Sequence, residues 1–495
     1  MLITLQMHLR LTNSACVYCK TTYKLNIIYK IYKNMRFKFN DKKTNNLINQ
    51  NCQRQSFKES CMIYNEAIEC ASRENLKNLQ SERLVKVVKY IYDNSPIYKQ
   101  KFDKLGITPN DIKSIDDITK LPFTPKEDLR DSYPFGLFST DIKNVAEIHV
   151  SSGTTGNPTV VGYTKRDLNL WANVAARSIA CAGGKKGDII QISYGYGLFT
   201  GGLGLHYGAL RLGATIIPAA TGQTKRQIKL MQDFKPRIIA CTPSYILYLA
   251  EEMKALGIDP RTSSWEVGIF GSEPWSIAMR DTIDKTLNMK ATDIYGLSEI
   301  CGPGVAQECT HREGLHIWSD LFYPEIIDPA TNQPVGEGEP GELVITTLTK
   351  QAIPLIRYRT RDIVSITYET CKCGRTVPRL SKIKGRTDDM IVVRGINVFP
   401  TQIEHALLQV DGALPNYQLI VDRENGSLDK LEVLVEVDEK FFTDELQALE
   451  NIKVTIKKAI DSTIGLGVNV RLVEPKTLAR TEGKSKRVID KRHLH

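Results

Sequence analysis

Apolar residues fall on helical spacing soon after position 62. From Asn65 to Leu105, Leu84, Val87, Val88 and Ile91 share one face with Ser81 and Arg83 beside it, and Asn94-Ser95-Pro96 ends the pattern. Leu121-Pro122-Phe123-Thr124-Pro125 reads as an extended connector. From Val145 onward, short apolar runs alternate with amphipathic stretches. Ile189–Ser193, Thr215–Pro218, Arg237–Cys241, Val267–Phe270 and Ala291–Tyr295 read as strands. Asp167–Ala182, Thr224–Phe234, Ser244–Leu256 and Ser276–Leu287 read as helices between them. This alternation predicts an α/β domain with largely parallel sheets. Turn-rich β text follows from His316 to Thr370.

A smaller α+β unit begins near Asp388. Met390–Val393 reads as a strand, and Thr401 with Glu404 as a capping box for a helix through Leu408. Strands Tyr417–Asp422 and Leu431–Val437 flank a turn at Asn425-Gly426. A helix presenting Leu449, Ile452, Ile456 and Ile460 follows, then the strand Asn469–Val473. The expected organisation is a leader over 1–61, a large domain over 62–387 and a small domain over 388–495, with no internal repeat.

Charge changes this picture only at the start. The formal net charge is +10, but residues 1–60 hold 11 Lys and Arg against Asp41 and Glu59, so the remainder is nearly neutral. A nucleic-acid footprint on the body is not supported. The leader lacks a secretory pattern, since Lys30 interrupts its apolar run Leu25–Tyr32. It reads as a disordered or non-native extension, with a basic targeting segment as the alternative and Met62 as the candidate start. No stretch approaches 18 apolar residues, so no membrane span is expected. The 11 cysteines are scattered, which favours a reducing, cytoplasmic setting over a disulfide scaffold.

The sharpest chemical signal is Ser151-Ser152-Gly153-Thr154-Thr155-Gly156-Asn157-Pro158, following the alternating Ala146–Val150. Ser/Thr hydroxyls around two glycines can turn O–H and backbone N–H groups onto phosphate oxygens. A polar hairpin is the bland reading. This is not a Walker A loop, because no Gly-Lys-Ser/Thr follows. The loop resembles the signature of the adenylate-forming superfamily of acyl-CoA synthetases, adenylation domains and luciferases, with Asn157 where lysine is usual. Further strings are similar to its other motifs, in order. Phe270-Gly271-Ser272-Glu273-Pro274 resembles the adenine-side loop. Tyr295-Gly296-Leu297-Ser298-Glu299 resembles the motif whose tyrosine stacks on adenine and whose glutamate helps hold Mg²⁺. Arg357-Tyr358-Arg359-Thr360-Arg361-Asp362 resembles the motif whose aspartate takes the ribose hydroxyls. Gly385-Arg386-Thr387-Asp388-Asp389 resembles the hinge motif, and Glu482-Gly483-Lys484 the loop carrying the catalytic lysine.

Within that superfamily, the chain from Met62 onward resembles the phenylacetate–CoA ligase family. The strings are Ser193 to Gly202, Thr346-Thr347-Leu348-Thr349-Lys350, and Arg394 to Pro400. In the first, aromatic residues interleaved with glycines can line a slot for a flat ring, although a glycine turn with core aromatics would look the same. The resemblance places the substrate ring near Tyr194 and Phe199. It implies ATP, Mg²⁺ and coenzyme A as partners of a small aryl acid. It also implies a small domain that rotates about Asp388 between two half-reactions, and it makes a homodimer a reasonable expectation. Sister enzymes of the indoleacetate–CoA ligase or coenzyme F390 synthetase type are the alternative, and a non-catalytic adenylate-binding protein a remoter one.

Cys371-Lys372-Cys373 lies about 60 residues beyond Cys309 and His316, which are spaced Cys-x6-His. Three thiolates and one imidazole would complete a closed tetrahedral Zn²⁺ site. Free buried thiols or a redox disulfide are the other readings. His311 rivals His316, which is preferred because Gly314-Leu315-His316-Ile317-Trp318 matches the family's segment.

Overall fold

The computed structural model describes residues 62–150, 158–198, 200–386, 391–393, 396–422, 429–441, 446–480 and 487–492. Ser151, Ser152, Gly153, Thr154, Thr155, Gly156 and Asn157 therefore lie outside the described residues, as do Phe199, Asp388, Lys484 and the Asn425-Gly426 turn.

The helical opening is made of Glu66–Glu69, Arg73–Asn94 and Pro96–Lys104. Ser72 caps the long helix, its hydroxyl accepting the Asn75 N–H at 3.2 Å. Leu84, Val87, Val88 and Ile91 are buried, as their spacing predicts. Pro96 holds Ser95 in the extended region and so ends that helix, then opens the next one, where its missing N–H costs nothing.

The main sheet has nine strands. Its parallel half runs Thr215–Ile217, Ile189–Ile192, Ile238–Cys241, Val267–Gly271 and Lys290–Leu297. The helices Thr200–Leu212, Thr224–Phe234, Pro243–Ala255 and Ile277–Leu287 make the crossovers that parallel pairing requires. Gly302–Glu308, Leu315–Ile317, Arg379–Leu380 and Ile366–Thr367 extend the sheet antiparallel. A second, antiparallel sheet holds Phe322–Ile327, Gly341–Thr347, Tyr358–Val364 and Gly385–Arg386. The α/β class with a β-rich part is therefore as the sequence implies.

The helix Thr200–Leu212 was not anticipated. Glycines at 201, 202, 204 and 208 depress helix propensity, but they permit close packing on the helix Lys165–Cys181. A Cβ at Gly204 would lie 2.5 Å from the Trp171 ring, and one at Gly208 2.5 Å from the Ala175 Cβ.

A fully buried ion-pair chain ties the opening helices to the antiparallel wing. Glu69 pairs with Arg375 at 2.7 Å and with Arg177 at 3.4 Å, and Arg177 pairs with Asp320 at 2.9 Å. Removing one partner of such a chain leaves an uncompensated charge, at about 3–5 kcal/mol.

The C-terminal part has its own apolar cluster, including Val398, Ile403, Leu419, Val433, Ile456 and Ile460. Its mixed four-stranded sheet runs Asn469–Val473, Lys430–Val437, Ala413–Asp422, Val488–Asp490. The helices Pro400–Leu407 and Leu446–Ile464 accompany that sheet. The expected capping box is corrected here. The helix starts at Pro400, so Phe399 is the N-cap and Gln402 Oε1 accepts its N–H at 3.0 Å. Glu404 is two residues too late to cap, and is buried against Ser276 instead. No described helix is long and apolar enough to cross a membrane.

Candidate active site

The candidate residues gather where parallel strands end, which is where open α/β sheets bind ligands. Gly271 ends one strand, and Ser272-Glu273-Pro274 follow it directly. Lys290–Leu297, the neighbouring strand, delivers Tyr295, Gly296, Ser298 and Glu299 at its end. Tyr194 follows Ile189–Ile192. The strands Val145–Val150 and Val160–Thr164 pair antiparallel on either side of residues 151–157, with Val150 opposite Val160.

Three non-glycine residues of these motifs hold left-handed backbone: Ser272 at φ 70, Arg357 at φ 44 and Arg361 at φ 65. Each costs on the order of 1–3 kcal/mol, a cost that recurs at functional sites. Arg357 is held there by Glu325 at 2.9 Å and by the Thr119 and Leu121 carbonyls. Glu273 anchors its loop by accepting the Ser244 N–H at 2.7 Å. Gly296 cannot be replaced without disruption, since a Cβ there would meet the Gly302 carbonyl oxygen at 1.9 Å.

The two sheets meet at Asp362. Tyr295 donates its hydroxyl to Asp362 Oδ2 at 2.5 Å, and Arg386 approaches Oδ1 at 3.5 Å. Burial, and then the Asp362 charge, push the Tyr295 phenol well above its ordinary pKa, so it stays a donor. Ser298 Oγ lies 3.0 Å from Thr200 Oγ1.

Two lysines that the sequence reading did not single out converge on Glu299. Lys126, opening the helix Lys126–Asp131, pairs with Oε1 at 3.2 Å. Lys350 donates to the Glu299 backbone carbonyl at 3.1 Å and lies 4.7 Å from the Tyr163 ring centroid. Burial pushes its pKa below the usual lysine value, against the opposing charges of Cys301, Asp167 and Glu299. Asp167 fixes the segment by accepting the Gln351 N–H at 2.7 Å and the Ala352 N–H at 2.8 Å. Lone lysines carry no spacing signal; only the Thr346–Lys350 string pointed near one of them.

Tyr194 is buried, and desolvation raises its phenol well above the ordinary value. Its hydroxyl lies near the Gly271 backbone but makes no hydrogen bond of good geometry. Beyond it, Tyr163 stacks on Trp171 at 4.8 Å, and His149, 5.7 Å from Trp171, faces it edge-on.

On the antiparallel wing, the ligand atoms of Cys309, His316, Cys371 and Cys373 lie within 4.8 Å of one another. Of the two candidate histidines it is His316 that joins them, held by the strand Leu315–Ile317. Cys309 and Cys371 sulfurs are 3.7 Å apart, and Cys373 Sγ is 3.5 Å from His316 Nε2. Hydrogen bonds from Cys309 and Cys373 hold the Cys371 thiol far below its ordinary pKa, favouring thiolate. His316 Nδ1 is buried without a hydrogen-bond partner. Arg375 donates toward Cys373 Sγ at 3.6 Å, linking the cluster to Glu69.

This fold and these motifs define an adenylate-forming enzyme. The AMP-binding enzyme family matches residues 59–349, and the AMP-binding enzyme C-terminal domain matches 395–492. Phenylacetate-coenzyme A ligase from Thermus thermophilus is 48% identical over 445 residues, 87% of this chain and 100% of its own. That from Pseudomonas putida is 50% identical over 427 residues, 86% of this chain and 96% of its own. The chain belongs to the phenylacetate-coenzyme A ligase family of AMP-binding enzymes. Among solved structures, 2-hydroxyisobutyryl-CoA ligase with 2-HIB-AMP in the postadenylation state matches at TM-score 0.82 and 29% identity, over 86% of this chain and 92% of that one. The same ligase with CoA in the thioesterification state matches at 0.64 and 30% identity, over the same shares. The chain's overall arrangement is thus nearer to the postadenylation one.

Proposed function

We propose that the protein joins phenylacetate, or a related aryl-acetic acid, to coenzyme A through an acyl-adenylate, releasing AMP and pyrophosphate. The observation that carries this is the convergence of Tyr295 and Arg386 on the one buried carboxylate of Asp362. Asp362 receives the ribose hydroxyls and Arg386 holds that carboxylate in place. Ser272, Glu273 and Pro274 bound the adenine with Tyr295 and Gly296. Ser151, Ser152, Gly153, Thr154, Thr155 and Gly156 cradle the phosphates, and Ser298 with Thr200 shapes the end of the strand. Tyr194 and Phe199 face the aryl ring.

In the first half-reaction a carboxylate oxygen bonds to the α-phosphorus and the bond to the pyrophosphate oxygen breaks. Two anions must approach, so fixed positive charge lowers the barrier. Glu299 fits a Mg²⁺ ligand, since that ion usually takes one or two carboxylates and completes its shell with phosphates and water. Bound there, Mg²⁺ would supply neutralising charge. Lys126 adds a cation at the same carboxylate, and Lys484 another from the small domain. In the second half-reaction the thiol loses its proton, the thiolate sulfur bonds to the acyl carbon, and AMP leaves. The small domain, 388–495, turns about Asp388 between the two.

The Cys309, His316, Cys371 and Cys373 cluster fits structural Zn²⁺. Ideal tetrahedral geometry with ordinary zinc–ligand lengths places two sulfurs about 3.8 Å apart and a sulfur and nitrogen about 3.6 Å apart. The observed 3.7 and 3.5 Å agree.

The test is pyrophosphate release with phenylacetate, indoleacetate and benzoate, each with and without CoA. Phenylacetate is expected to be fastest, with thioester formed only when CoA is present. Turnover favouring benzoate, or an acceptor other than CoA, would overturn the assignment. Asp362→Ala should raise KM for ATP roughly 10- to 100-fold, from the about 1.5–3 kcal/mol of a charged hydrogen bond. An unchanged KM for ATP would remove Asp362 from the nucleotide site.

A further inference from the structure

Apart from the hinge-side hydrogen bond from Thr401 Oγ1 to the Lys384 carbonyl at 2.9 Å, the small C-terminal part touches the nucleotide-site edge of the large one at two separated polar points. At the first, Glu404 on the helix Pro400–Leu407 accepts the Ser276 backbone N–H at 2.7 Å. Ser276 caps the helix Ile277–Leu287 and stands two residues beyond Pro274 of the adenine-side loop. Arg487 backs this contact, 3.8 Å from Glu404 Oε2 and 4.4 Å over the Tyr417 ring. At the second, Arg480 forms a fork with the buried Glu436, at 2.8 Å, and reaches across to Glu251 on the helix Pro243–Ala255 at 3.4 Å. That same helix begins where Glu273 accepts the Ser244 N–H. Both points therefore end on elements that carry the Ser272-Glu273-Pro274 loop.

Between them lies a cavity of about 110 Å³, lined by Ser244, Tyr248, Glu251, Tyr417, Arg480 and Arg487. An interface with a gap at its middle and charged groups at its margins is built to separate, whereas a continuous apolar seam is not. Leu408 adds an apolar contact, packed against the cluster around Trp275 and Met279.

We propose that Glu251 and Glu404 form a two-point latch, gripping Arg480 and the Ser276 N–H, that holds the small domain in the docking used for adenylation and lets go before thioester formation. The inference rests on the reading that the two half-reactions use different dockings. Arg480 stands four positions before Lys484 in the sequence, so one latch point is near that lysine along the chain. Glu251 and Glu404 are positioning residues; neither is assigned to the reacting atoms. Release costs the latch little on the small-domain side, because Arg480 keeps Glu436 and Glu404 keeps Arg487.

The test separates the half-reactions in the full-length enzyme. The Glu251 side chain is 31% exposed, so Glu251→Gln and Glu251→Lys are compatible with folding. Pyrophosphate release from ATP and phenylacetate should fall about fivefold in E251Q and more in E251K, which sets a cation against Arg480. Thioester formation from preformed phenylacetyl-adenylate and CoA should be unchanged or faster in both. Equal slowing of both half-reactions, or no change in either, would overturn the latch. Lys484→Ala run in parallel separates the two ideas. If it splits the half-reactions and the Glu251 variants do not, the latch alone fails. If it does not split them, the two-docking reading beneath the latch fails.

Discussion

Lys484→Ala is expected to slow adenylate formation by roughly 10²–10³-fold, the scale seen when one preorganised electrostatic group is removed. Thioester formation from preformed acyl-adenylate should survive within about threefold, because the triphosphate is gone and the thiolate attacks a neutral acyl carbon that bears only the single phosphate charge of the adenylate. The asymmetry follows from charge. A carboxylate and a triphosphate repel each other, and Glu299 adds a further negative group, met at 3.2 Å by Lys126. The first step therefore needs every nearby cation, whereas the second joins a thiolate to a neutral acyl carbon. Rapid-quench measurement of pyrophosphate and of thioester separates the two. Equal loss of both would mean that one arrangement of the small domain serves the whole reaction.

The second large effect concerns stability. Changing Cys371 and Cys373 together to serine should lower Tm by about 10 °C or more, since a closed zinc site contributes directly to folding. The cluster joins the end of the strand Gly302–Glu308 and the strand Leu315–Ile317 to the loop between Ile366–Thr367 and Arg379–Leu380, and Arg375 carries the coupling to Glu69 at the opening helices. Turnover below the new transition should change little, as these residues sit on the antiparallel wing and the nucleotide residues at the parallel strand ends. Metal analysis should find about one zinc per chain. A metal-free protein with an unchanged melting curve would remove the zinc proposal.

What the sequence made legible follows from how local each signal is. Thr224–Phe234 is a helix with the bounds its pattern predicts, and Asn469–Val473 a strand likewise. The Cys-x-Cys and Cys-x6-His spacings led to four residues that the fold brings together. The helix Thr200–Leu212 was missed because its glycines serve contact with Trp171 and Ala175, a tertiary reason that overrides propensity. Glu404 was misread as a cap because a Thr-x-x-Glu spacing cannot tell that Pro400 starts the helix earlier. Lys126 was invisible for a different reason, and Lys350 was legible only as the end of a string, without a role. Each is a single charge whose meaning comes from a partner 173 residues away for Lys126, or 51 for Lys350.

The most direct test of the central claim follows oxygen. Phenylacetate labelled with ¹⁸O in both carboxylate positions is turned over with ATP and CoA, and the nucleotide product is examined by mass spectrometry. Attack of the acid on the α-phosphorus should leave one ¹⁸O in AMP, with phenylacetyl-CoA retaining the other. Unlabelled AMP, or ADP as the nucleotide product, would contradict an acyl-adenylate route.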